Sequence, residues 1–144
     1  MARAFLVPVT LPAGSTSPTP AINTASTALA TTEYTDRAVM APITAITGTS
    51  QTVGITHLGA WLDCENAATQ TLTIDTDANA SWPANAQIQG AQMGAGKVSF
   101  VGGSGVTIRV RAAFVASSAG QYAVWGLKRV GANEWIRFGD LEAA

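Results

Sequence analysis

The chain predicts an all-β fold: an antiparallel β-sandwich or jelly-roll-like domain, preceded by an extended N-terminal arm and a short helix. Three observations carry this expectation. Short segments rich in Thr, Val and Ile recur about every ten residues, separated by turn signals. Val106, Ile108 and Val110 alternate with Thr107, Arg109 and Arg111, the two-residue period of a strand with one buried and one wet face. No long stretch carries the apolar stripe of a strongly amphipathic helix.

Taken in order, residues 1–28 read as arm and linker, 29–42 as a short helix and 43–144 as the sandwich. Near the start, AFLVPVTL (residues 4–11) is apolar and β-branched. Pro8 cannot donate to a ladder, so this piece fits an edge strand or an extended arm that docks on a partner. The same proline cuts the apolar run short of a signal-peptide core, and nothing later approaches a membrane span. A soluble chain without a cleaved leader is expected. Over residues 12–27, twelve of sixteen residues are Pro, Gly, Ser, Thr or Asn. That composition marks a linker which, fully extended, would span about 50 Å at roughly 3.3 Å per residue. Residues 31–40 carry helix marks: Thr31 or Thr32 as N-cap, Glu33 and Asp36 in the first turns, and Pro42 just beyond the end. The apolar stripe of Tyr34, Ala38 and Ala41 is narrow, so this helix needs neighbours, and a three-fold bundle is one way to supply them.

Strands are expected at 43–47, 52–56, 60–64, 70–75 and 86–92. Residues 97–111 then read as a hairpin around Gly102-Gly103-Ser104-Gly105, which supplies the glycines of a tight turn. Residues 121–128 are apolar at both parities, as in a strand covered on both faces. Gly131-Ala132-Asn133 turns the chain into 134–138, where Trp135 faces opposite to Ile136 and Phe138. Loops at 75–85 and 112–120 belong at the sheet ends, where variable contacts are made.

Of the 144 residues, 12% are charged and 47% hydrophobic, whereas soluble domains carry roughly 25% charge. So little charge points to surface buried against copies of the chain or a larger assembly; a Thr-rich monomeric surface is the alternative. The net charge of −1 removes the main attraction for phosphates, so no nucleic-acid partner is expected, and no membrane partner either.

No catalytic set, cofactor or metal is expected. His57 is the only histidine and Cys64 the only cysteine; their spacing could bring them close, but no third partner or oxyanion hole is marked. Gly94-Ala95-Gly96-Lys97 lacks the first glycine and the Ser or Thr of a phosphate loop. Asp75, Asp77 and Asn79 have the spacing that opens a calcium loop, yet Ala80 and Ala86 stand where that loop needs Gly and Glu. Four tryptophans offer sugar-stacking faces. Trp61, Trp125 and Trp135 read as core or interface, and Trp82, in Ala80-Ser81-Trp82-Pro83, as the exposed one and the candidate glycan contact.

The strings GAGKVSFVGGSGVTI and GQYAVWGLKRVGANEWIRFGDL resemble the C-terminal β-domain of many tailed-bacteriophage virion proteins, among them tail fibres, head fibres and capsid decoration proteins. Residues 51–74 are similar to the first half of that domain, and Ala30-Thr31-Thr32-Glu33-Tyr34-Thr35-Asp36 resembles a segment common in phage tail fibres. The resemblance covers about two thirds of the chain and implies a homotrimeric virion protein. The short chain favours capsid decoration or a head fibre, with Phe5, Leu6, Val7 and Val9 of the arm anchoring to the major capsid protein or other virion subunits. The alternative is a tail-fibre or receptor-binding tip that recognises host surface glycan through Trp82 and the sheet-end loops.

Overall fold

Strands with one apolar face are stable only when a second layer covers that face. The computed structural model describes residues 41–144, and there eleven strands form two facing sheets. They are β1 (Ile43–Ile46), β2 (Ser50–Val53), β3 (Trp61–Cys64), β4 (Gln70–Ile74), β5 (Gln87–Gln92), β6 (Val98–Gly102), β7 (Thr107–Arg109), β8 (Phe114–Ser118), β9 (Val124–Gly131), β10 (Glu134–Gly139) and β11 (Leu141–Ala143). One sheet runs β1-β3-β5-β9-β10-β7 and the other β11-β8-β6-β4-β2. The expected arm and linker of 1–28, including Phe5, Leu6, Val7 and Val9, and all but the last two residues of the expected helix of 29–42, lie outside the described residues.

The all-β sandwich is thus the architecture, but its strands are not antiparallel throughout. β1, β3 and β5 pair in parallel, as do β2, β4 and β6, and β7 lies parallel to β10. The cause is the path of the chain. From β1 to β6 successive strands alternate between the sheets, so each strand re-enters its own sheet after one full winding and runs in its predecessor's direction. Antiparallel pairing enters only where β9 joins β5 and β10, and β8 joins β6 and β11. The expected hairpin of 97–111 is overturned for the same reason: β6 and β7 belong to different sheets. Its glycines do make a tight turn, with Gly105 at φ +78° and the Val106 N–H donating to the Gly103 carbonyl at 2.9 Å, but the turn carries the chain across the sandwich.

The corners of this winding are held by buried or half-buried amides. Gln70 is fully buried and donates Nε2 to the carbonyls of Ile46 and Gly48 at 2.7 and 2.8 Å. Asn66 donates Nδ2 to the Thr47 carbonyl at 2.6 Å and accepts from the Ala68 N–H at 2.7 Å. The next winding stacks directly on this corner, with the Gly96 N–H donating to the Asn66 carbonyl at 2.9 Å. A Cβ on Gly96 would sit 1.9 Å from the Ala68 carbonyl oxygen, so the windings can stack only because that position is glycine.

Between the sheets lies one core. Leu62, Ile88, Trp125, Leu127 and Trp135 from the first sheet meet Val53, Leu72, Ile74, Val98 and Phe100 from the second. Phe100 and Trp125 meet edge to face with centroids 4.8 Å apart, a favoured aromatic geometry. The expected strand of 121–128 starts later, at Val124, and is covered on one face only: Trp125 and Leu127 point inward, while Tyr122 and Val124 are exposed. The turn at Ala132 and Asn133 joins β9 to β10 as the sequence predicts. The expected loops differ from expectation: 75–85 contains a one-turn helix, Asp77–Ala80, capped by the Thr76 hydroxyl, and 112–120 contains β8.

Candidate functional site

The residues singled out for chemistry are each engaged in structure. Cys64 is fully buried, and desolvation, followed by the neighbouring Asp63 carboxylate, pushes its thiol up to about 12; a thiol so placed is not a nucleophile near neutral pH. His57 lies in a 3-10 turn, Ile55–His57, and its Nδ1 accepts from the Gly54 N–H at 3.1 Å. Asp77, the centre of the calcium-like spacing, receives Arg129 Nη2 at 2.6 Å, Arg129 Nε at 3.2 Å and the Asn133 N–H at 3.0 Å. The hydrogen bonds from Arg129, against some desolvation and helped by Asn133, hold its carboxyl below the usual carboxylate range. Asp75 is bonded to the Thr76 N–H and to Asn79 Nδ2. The spacing therefore builds a helix start stapled to the β9–β10 turn, and no cluster of metal-ligating side chains occurs among the described residues.

Trp82 is not the exposed platform expected of it. Its ring is 5% exposed, stands edge-on to Trp135 at 5.1 Å and donates Nε1 to the Asp75 carbonyl at 2.9 Å. The loop folds inward because the indole closes one end of the core while its polar edge finds a backbone acceptor. Trp82 cannot present a stacking face to a glycan.

What the domain does present is two unlike outer faces. On the first sheet, strand register aligns Ile43, Trp61, Gln89, Gly126 and Phe138 in one line across five strands. Phe138 lies over Gly126, where a Cβ would come within 2.2 Å of its ring. Ile43 is 71% exposed and Val124, Val130, Ile136 and Phe138 each more than 40%. On the second sheet the corresponding line is Ser50, Thr71, Ser99 and Ser117, all hydroxyls, with Ser99 Oγ and Ser117 Oγ 3.3 Å apart. The first face carries exposed Ile43, Ile136 and Phe138 among Asp63, Lys128, Arg109 and Glu134; the second is rich in hydroxyls, with Val101 and Val115 exposed among them.

β10 inverts the usual partition. Ile136 and Phe138 face solvent, while Arg137 shares the inner face with Trp135 and is 2% exposed. Its guanidinium sits 4.9 Å above the Phe100 ring and donates to the carbonyls of Phe138 (2.6 Å), Asp140 (3.0 Å) and Ser117 (3.4 Å). Burial lowers its pKa to about 10, with Asp140 opposing, so the charge survives at neutral pH. This arginine fastens the β10–β11 turn to β8.

Above that turn lies a groove. A hollow of about 540 Å³ is bounded by Phe114, by residues 119–123 of the β8–β9 loop and by 139–141; a second, of about 290 Å³, shares Phe114, Gly139 and Leu141 with it and adds Arg111 and Phe138. Comparisons of this chain with protein-family models, with curated proteins and with solved structures find no match.

Proposed function

We propose that this protein is a non-catalytic structural component of a bacteriophage virion, a homotrimeric capsid decoration or head-fibre protein assembled in the bacterial cytoplasm and displayed on the particle. The observation that carries this reading is the set of exposed apolar side chains on the first sheet, Ile43, Val124, Ile136 and Phe138, in a sequence with only 12% charged residues. Exposed apolar side chains grouped on one sheet face are what a covering protein surface would bury. The resemblance of residues 94–108 and 120–141 to phage virion β-domains supplies the kind of assembly. In this reading the open face packs against copies of the chain, and Phe5, Leu6, Val7 and Val9 attach the trimer to the major capsid protein, bridging neighbouring shell subunits.

The test uses the full chain. Light scattering after size exclusion is expected to give a trimer, and particles lacking the protein are expected to take it up in hundreds of copies. The double substitution Ile43→Lys and Ile136→Lys places charges on the open face and is expected to yield monomers with an unchanged circular dichroism spectrum. A stable single-subunit species that ignores such particles overturns the proposal.

A further inference from the structure

We propose that the hollow between Arg111 and the β10–β11 turn binds a small oxyanion, with Arg111 as its direct hydrogen-bond donor and the buried Arg137 as a fixed positive charge beside it. The hollow holds about 290 Å³ and is bounded by Arg111, Phe114, Arg137, Phe138, Gly139 and Leu141. Two of those residues carry guanidinium groups and none carries a carboxylate. Like charges gathered at one hollow without a counter-charge cost free energy, and the ligand that removes that cost is an anion.

The first observation is the state of Arg137. It is 2% exposed, and its acceptors are the backbone carbonyls of Ser117, Phe138 and Asp140. Fastening a turn needs donors and not a net charge; the carbonyls satisfy N–H groups and leave the positive charge uncancelled. Its Nε–H has no acceptor among the described residues. The ion pairs among the described residues are Lys97 with Glu142, Arg109 with Glu134 and Arg129 with Asp77, so neither arginine of the hollow belongs to one. The Asp140 carboxylate accepts the Val124 N–H at 3.1 Å and borders the neighbouring hollow instead. Burial accordingly pulls the Arg137 pKa down to about 10, with Asp140 only partly opposing it.

The second observation is the pose of Arg111. An exposed arginine ordinarily spreads over many rotamers, but this guanidinium lies 4.2 Å from the centroid of the Phe114 ring. Stacking holds the group at the rim and leaves its in-plane N–H fork available. A fork held in advance suits a carboxylate or a phosphate, whose paired oxygens accept two parallel N–H bonds. Phe114, Phe138 and Leu141 around it lower the local dielectric and strengthen the attraction. The chain as a whole carries a net charge of −1, so the attraction is local, and one small anion fits it better than a polyanion.

The full chain is titrated with inorganic phosphate, and in parallel with acetate, in a zwitterionic buffer whose ionic strength is fixed with sodium chloride. Calorimetry is expected to show saturable binding of phosphate, and the melting temperature is expected to rise with phosphate and not with chloride. Binding of both probes assigns the hollow to oxyanions in general and binding of phosphate alone to tetrahedral ones; either supports the proposal. Affinity is expected to fall at least about tenfold in Arg111→Ala, while this exposed position keeps the parent's melting temperature in chloride. Arg137→Gln retains amide donors for the turn but removes the charge, and is expected to lose the phosphate-dependent rise in melting temperature. The double variant Ile43→Lys, Ile136→Lys keeps every residue of the hollow and is expected to bind phosphate still, so a failure of self-association leaves this inference standing. No saturable binding of either probe beyond the chloride control, or a titration unchanged in Arg111→Ala, overturns the proposal.

Discussion

Trp82→Ala separates a core tryptophan from a surface one. Fully burying an indole removes on the order of 150–250 Å² from water, and truncating such a side chain costs about 3–5 kcal/mol in transfer and cavity terms. The Asp75 carbonyl also loses its donor at 2.9 Å, which adds about 1 kcal/mol. The total, about 4–6 kcal/mol, is a large part of the roughly 5–15 kcal/mol that holds a typical domain folded. It corresponds to a fall in melting temperature of the order of 20 °C for a domain of this size. Trp82→Phe keeps an aromatic edge against Trp135 but loses the N–H and part of the buried ring volume, so a cost of about 2–3 kcal/mol, below that of Trp82→Ala, is expected. Urea titration followed by circular dichroism measures both, and acrylamide quenching of the parent reports whether the ring is shielded. A Trp82→Ala cost within about 0.5 kcal/mol, typical of surface positions, would refute the packing argument and return Trp82 to the list of ligand contacts.

Acid stability tests the staple between Asp77 and the β9–β10 turn. Its carboxyl is held below the usual range, so the folded state gains stability above the unfolded value near about 3.9 and loses it as pH falls through the depressed one; urea midpoints in Asp77→Asn are expected to depend less on pH across that window than in the parent. The winding makes a rank-order prediction about glycines. In Gly96→Ala the new Cβ meets a backbone carbonyl, whereas in Gly126→Ala it meets the movable ring of Phe138. Urea unfolding should therefore show a loss above about 2 kcal/mol for the first and under about 1 kcal/mol for the second.

Alternation along a strand tells which side chains share a face, not which strand lies alongside. That is why β1, β3, β4 and β5 stand close to where the spacing of apolar residues and turn signals put them, while their parallel partners were illegible: nothing local distinguishes a strand that turns back from one that crosses to the other sheet. β8 escaped notice because Ala116, Ser117 and Ser118 have little β-preference of their own, and Ser118 is buried as an acceptor for the Val98 N–H. In β10 the parity was readable and the side was not. Placing Trp135 inward forces Arg137 inward with it, and the gain from the larger ring outweighs exposing Ile136 and Phe138. Trp82 looked exposed between Ser81 and Pro83 because its partner, Trp135, is 53 residues away in the chain. For the hollow beside the β10–β11 turn, Arg111 and Arg137 were visible as residues, but the burial of Arg137 and its meeting with Arg111 exist only in three dimensions.

The alternating path also has a kinetic consequence. Ile43 finds Trp61 eighteen residues on, and Trp61 finds Gln89 twenty-eight residues on, so none of the first six strands can zip to its neighbour in sequence. Early order is expected instead in the β9–β10 ribbon, with its two-residue turn, which then serves as the template on which the earlier windings are laid. Newly made chains emerging N-terminus first would have to wait for that ribbon, leaving β1 to β6 exposed until residues 124–139 have been made.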